Sequence, residues 1–207
     1  MLVKESCERF SELLAEKLPT PGGGGAAAYV GALSAALCSM VGNFTLGKKK
    51  YAEFEEDVKE ILLKAERLRL RLLSLVDEDA QAFSPLAEAY ALPKDAPGRD
   101  EILEKALLNA CEAPLEMMRR CAEVVDLLEE MLTKGSRLLI SDVGCGALMA
   151  RAAIESAAVN VFVNTRLLKD TDTANAIEAK ADEILGSYCP KASEVAASVS
   201  KIIRREY

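Results

Sequence analysis

None of the 207 residues is histidine, so acid–base chemistry in this chain falls to carboxylates, lysine, tyrosine or cysteine. Ser-His-Asp triads, Cys-His pairs and the usual His-containing zinc sites are excluded at once. The carboxylates that draw attention are Asp77 and Asp79, in Leu75-Val76-Asp77-Glu78-Asp79-Ala80. On a helix, Asp79 shares a face with Leu72, Val76 and Phe83, while Asp77 lies about 200° around, nearer Arg71 and Gln81. A carboxylate among apolar neighbours has its pKa raised, which suits proton transfer near neutrality. Asp79 is therefore the first candidate for a catalytic group and Asp77 the second. The competing role for either is a boundary carboxylate paired with Arg or Lys.

Candidate binding groups lie elsewhere in the chain. Pro19-Thr20-Pro21-Gly22-Gly23-Gly24-Gly25 ends one helix and opens the next. The first N–H groups of the new helix have no intrahelical acceptor, and with the peptide dipoles they suit an anion or a carbonyl oxygen. Gly22 to Gly25 are thus candidate ligand contacts. Asn160 and Asn164, four apart, share a helix face and could hold one ligand together; amides bonded to a neighbouring helix are the alternative. Lys48, Lys49 and Lys50 end the uncharged segment that starts at Ala26, either to receive an anionic tail or only to favour the helix dipole. Asp142, with Ser141, is a good N-cap for a fifth helix and a further candidate contact.

Two motif look-alikes fail on context. Gly23, Gly25 and Ala28 have dinucleotide-fingerprint spacing, but a helix and not a strand precedes them. Gly42 to Lys48 fits G-x-x-x-x-G-K, yet Lys49 stands where Ser or Thr must hold magnesium. Six scattered cysteines form no C-x-x-C pair and suggest neither a zinc site nor a disulfide framework. A net charge of −7 with mixed signs along the helices argues against nucleic acid. Ala26 to Gly47 is long enough to cross a bilayer, but it is poor in Leu, Ile and Phe and stands in a charge-rich chain, so it is expected to be a buried bundle helix. With no leader segment legible at the N-terminus, the cytoplasm is the expected location.

The elements that must position these groups are helices throughout. A first amphipathic helix spans Leu2 to Leu18, a second Ala26 to Gly47, and a third runs from Tyr51 to about Leu92 with a bend at Pro85. Leu92 to Gly98 is a loop. A fourth helix runs from Asp100 to Leu132, with Pro114 able to kink it and Gly135 as C-cap. The fifth starts at Ser141-Asp142 and reaches about Leu168; the last begins after Asp170 and ends near Tyr207, with Pro190 able to interrupt it. The expected fold is one all-α domain over residues 1–207, an antiparallel multi-helix bundle around a small-residue central helix.

The PTPGGG start, the small-residue helix, its SMVGNFTLGKKKY end, the VDEDAQAF run and Ser141-Asp142 followed by Asn160, Asn164, Arg166 and Asp170 together resemble the C-terminal domain of formiminotransferase-cyclodeaminase and the stand-alone methenyltetrahydrofolate cyclohydrolases of that family. The resemblance covers almost the whole chain. It departs at Gly25, where the family commonly has Ser. It implies a one-carbon folate enzyme acting at 5,10-methenyltetrahydrofolate, as cyclodeaminase or cyclohydrolase, needing neither metal nor cofactor besides its tetrahydrofolate substrate. It further implies a homodimer, with the folate in a cleft near the subunit contact. No formiminotransferase domain is expected beside it, and a separate formiminotransferase is an expected possible partner. The rival from another class is a helical scaffold or adaptor that keeps the fold without the reaction.

Overall fold

The computed structural model describes residues 1–205, so the expected end of the last helix near Tyr207 lies outside the described residues. Six α-helices follow one another: α1 (Cys7–Ala15), α2 (Gly23–Asn43), α3 (Glu55–Ala91), α4 (Arg99–Lys134), α5 (Ile140–Thr165) and α6 (Thr171–Arg204), with short 3-10 turns at Leu2–Lys4, Lys49–Phe54 and Arg137–Leu139. There is no strand among the described residues. Pro85, Pro114 and Pro190 all sit inside continuous helices.

Glycine and alanine let α2 approach its neighbours closely. A Cβ on Gly31 would lie 2.5 Å from Cys121 Sγ of α4, and one on Gly42 would meet Leu62 of α3 at 2.8 Å. Gly25 beside Val76 and Gly42 beside Leu62 make α2 and α3 antiparallel. Ser34 Oγ donates to the Gly146 carbonyl at 2.8 Å, and Gly23 lies against Asn160, so α2 and α5 are antiparallel too. α4 packs against α2, α3, α5 and α6, and Met117, Met118, Leu128 and Met131 on it are fully buried. Cys38, Cys111, Cys121 and Cys189 are core residues, whereas Cys7 and Cys145 are exposed.

Three expected boundaries move. α1 is short, with no buried residue, and rests on α2 through the Phe10 and Tyr29 rings, 5.4 Å apart. α2 starts at Gly23, so Gly23, Gly24 and Gly25 form its first turn and do not belong to the loop before it. α5 starts at Ile140 behind the 3-10 turn, which puts Asp142 inside its first turn; Leu139 occupies the N-cap position, so neither Ser141 nor Asp142 caps the helix. Gly135 is the C-cap of α4, in extended conformation; a Cβ there would lie 2.5 Å from the Met131 carbonyl oxygen.

Candidate active site

The antiparallel pairing of α2 with α3 and α5 gathers one group from each at the same end of the bundle. Asp79 projects from α3 against the first turn of α2, so closely that a Cβ on Gly24 would overlap its carboxylate. Only glycine leaves that space. A Cβ on Gly23 would meet Asn160 of α5 at an ordinary 3.5 Å. Burial pushes the Asp79 carboxyl above the usual carboxylate range, and the Gly25 N–H bonded to it pulls the other way without cancelling the effect. No basic side chain neutralises it: the boundary ion pair that sequence alone left open is not formed among the described residues.

The two asparagines are held by backbone. Asn160 Nδ2 donates to the Ser156 carbonyl at 2.8 Å, and Asn164 Nδ2 donates to Asn160 O at 2.9 Å and to Ala110 O of α4 at 3.1 Å. The last bond has a cause in α4. Pro114 has no N–H, so the helical partner that Ala110 O would have had is missing, and the Asn164 amide takes its place. With the amide hydrogens directed at carbonyls, each side-chain oxygen is left as an acceptor.

These groups line a pocket of ≈ 160 Å³ bounded by Pro19, Thr20 and Gly22 to Gly24, by Asp79, Phe83 and Leu86 of α3, by Ala110 and Pro114 of α4, and by Asn160, Val163 and Asn164 of α5. It combines an apolar wall, two amide acceptors, the N-terminal N–H groups of α2 and one perturbed carboxylate. Such a set can hold a flat heterocycle and move a proton at its edge. A wider cleft of ≈ 770 Å³ adjoins it at Ala82, between α3, α4 and α6. There Arg71 is bonded to Glu78 and lies 3.6 Å from Glu116, which also holds Arg119 at 3.7 Å.

The remaining candidates are not brought to this pocket. Asp77 lies on another side of α3, where its Oδ1 accepts the Leu2 N–H at 2.6 Å and thereby ties down the N-terminal 3-10 turn. Lys48, Lys49 and Asp142 sit at the opposite end of the bundle, a 21-residue helix away from Gly23, about 30 Å at 1.5 Å per residue. Lys48 Nζ donates to Ser136 Oγ at 3.1 Å, and the Tyr51 hydroxyl accepts the Arg137 N–H at 2.9 Å. That hydrogen bond and the neighbouring lysines lower the Tyr51 pKa.

Sequence reasoning did not find Phe83, Leu86, Ala110, Pro114 and Val163 as pocket walls. Pro114 carried the one readable signal, because a proline inside a long helix frees a carbonyl that some side chain must satisfy.

Comparison with known proteins agrees with this architecture. The chain is 46% identical over 174 residues to a methenyltetrahydrofolate cyclohydrolase from Methylorubrum extorquens, covering 82% of this chain and 84% of that protein. It is 31% identical over 202 residues to the formimidoyltransferase-cyclodeaminase of Mus musculus, covering 96% of this chain but only 37% of that longer protein. The crystal structure of formiminotetrahydrofolate cyclodeaminase from Thermotoga maritima superposes with a TM-score of 0.84 at 29% identity, over 99% of this chain and 98% of the other. The family model described as formiminotransferase-cyclodeaminase matches residues 6–183. With a family match over most of its length and an all-helical fold shared from end to end, this chain belongs to the formiminotransferase-cyclodeaminase family.

Proposed function

We propose that the chain is a one-carbon folate enzyme that hydrolyses 5,10-methenyltetrahydrofolate to 10-formyltetrahydrofolate, as a homodimer in the cytoplasm. The observation that carries the choice of reaction is the 46% identity to a cyclohydrolase over more than four fifths of both chains. The pocket supports it chemically. The methenyl carbon is a cationic amidinium centre between N5 and N10. Water adds to it and gives up a proton, which the Asp79 carboxylate accepts. The neutral tetrahedral adduct then collapses: the C–N5 bond breaks, N5 gains a proton, the hydroxyl loses one and the formyl group stays on N10. One proton is released per turnover, and one carboxylate can handle each transfer.

A pKa raised by burial lets Asp79 both accept and return the proton. The Asn160 and Asn164 side-chain oxygens suit the N–H edge of the pterin ring, and the first N–H groups of α2 suit its carbonyl oxygen. A second reading keeps the same groups and reverses the supply of the methenyl bridge: N10 attacks the formimino carbon of 5-formiminotetrahydrofolate and ammonia leaves after protonation. It is favoured by the fold match to a cyclodeaminase that spans 98% of that protein.

The test is to follow loss of the methenyl chromophore on mixing purified protein with 5,10-methenyltetrahydrofolate against a buffer blank, and its appearance from 5-formiminotetrahydrofolate. Accelerated loss supports the hydrolase and accelerated appearance the cyclodeaminase. Neither would leave a scaffold that kept the fold.

A further inference from the structure

We propose that the cleft between α3, α4 and α6 receives the aminobenzoyl-glutamate tail of the folate whose pterin lies at Asp79, with Lys180 as the cation that meets a tail carboxylate. The proposal rests on the folate reading above and deepens it. At ≈ 160 Å³ the Asp79 pocket falls below the roughly 300–1,000 Å³ in which sites bury a drug-sized ligand, so it takes a pterin and leaves the rest of the molecule outside. Two larger cavities adjoin it. One, of ≈ 470 Å³, shares Pro19, Thr20 and Phe83 with the pocket, and the other, the cleft of ≈ 770 Å³, shares Ala82.

Charge decides between them. Among the described residues, the one charged side chain on the 470 Å³ cavity is Asp77, which would repel a carboxylate tail. The cleft carries Arg71, Arg119 and Lys180. Its junction with the pocket is built from small residues. Ala82 stands one turn beyond Asp79 on α3, and on α4 Ala110 and Pro114 line the pocket while Cys111 and Ala113 between them line the cleft. Past the junction, Leu108, Leu115 and Ile177 supply apolar surface, and Leu108 is 36% exposed. A flat aminobenzoyl ring would cover it.

The cations of the cleft differ in what holds them. Arg71 is bonded to Glu78 and lies 3.6 Å from Glu116. Glu116 is also held by Arg120 at 2.8 Å and lies 3.7 Å from Arg119, so both arginines of the cleft already face a carboxylate. Lys180 does not. It is exposed, one turn beyond Ile177 on α6, and among the described residues the ion pairs of α6 are made by Lys191 alone. Glu112 of α4 lines the same cleft, exposed and likewise without an ion pair among the described residues. A glutamate tail in the cleft is attracted by the one and repelled by the other, which gives the site two handles of opposite sign.

Steady-state kinetics on two substrates test this: 5,10-methenyltetrahydrofolate, and 5,10-methenyltetrahydropteroate, which keeps the aminobenzoyl ring and lacks the glutamate. Lys180→Gln raises KM for the folate about two- to fivefold with kcat kept, the size of an exposed ion pair, and Glu112→Gln lowers it. Both shifts vanish on the pteroate, where no glutamate is present to feel them. Because both side chains are exposed and unpaired, the two variants fold as wild type does. A folate KM unmoved by Lys180→Gln, or a shift of equal size on both substrates, overturns the tail site while leaving the reaction in place. Failure of the folate reading gives a different result: wild type turns over neither substrate, and the tail site falls with it.

Discussion

The two ends of α2 are built alike in composition and used differently. Each has glycine, each lies where three helices meet, and each gathers polar side chains from neighbouring helices. At the Gly23 end the gathered groups are under-committed: Asp79 is pressed against Gly24 without a basic partner, and the asparagine oxygens face a pocket. At the Thr45 end the polar atoms are consumed by one another. Thr45 Oγ1 donates to the Val41 carbonyl at 2.7 Å and accepts the Ser136 N–H at 2.8 Å, and Ser136 Oγ accepts from Lys48. A polar cluster that satisfies itself holds the fold, and one left open to a cavity is available for chemistry.

The sharpest way to break the contrast is Asp79→Asn. General acid–base catalysis by one group contributes about 10²- to 10⁴-fold, and kcat should fall by that factor while the helical circular dichroism is kept. Stability should move the other way. Because the folded-state pKa of Asp79 is raised, the protonated form is the better folded one, and wild type loses stability as pH rises from the ordinary carboxylate value through the raised one. The variant has no such loss, so its Tm at neutral pH should equal or exceed that of wild type.

Next in size is a pair of neighbouring glycines. Gly24→Ala sets a methyl on the Asp79 carboxylate and should cost activity about tenfold or more, since a displacement of about 1 Å can cost 10²-fold. Gly23→Ala meets only ordinary contacts and should leave kcat within twofold. Equal effects of the two would remove the argument that Gly24 is there for the carboxylate.

At the other end, Thr45→Val strands the buried Ser136 N–H and should cost about 1–3 kcal/mol in chemical denaturation with kcat unchanged. The smallest effect on chemistry is expected of Asp77→Asn. Its carboxylate holds the Leu2 N–H, so the measurable change should be faster amide exchange over the N-terminal turn, with kcat within a few-fold of wild type.

The helices were legible in the sequence because each long element carries its own apolar period, and Asp79 was legible because Leu72, Val76 and Phe83 share its face. The start of α2 was not. Three glycines read as loop by propensity, yet the approach of Asp79 and Val76 requires a helix there without Cβ at Gly24. Asp142 reads as a cap only if the helix begins beside it, and the 3-10 turn at Arg137–Leu139 moved that start to Ile140. The bond from Asn164 to Ala110 O depends on the register of α5 against α4, which no local pattern encodes. The distance of Lys48 and Lys49 from the glycines, in contrast, was open to arithmetic, since a helix of that length separates its ends by about 30 Å.

The central claim is that one buried carboxylate, Asp79, moves the protons. Its most direct test is the pH dependence of kcat/KM for methenyltetrahydrofolate hydrolysis in wild type and in Asp79→Asn, corrected for the uncatalysed rate. Wild type should lose activity on the acid side with a midpoint above the ordinary carboxylate range, as its general base becomes protonated, and the residual rate of the variant should show no such limb. An acid limb that persists unchanged in the variant would assign the proton transfer to another group and contradict the account.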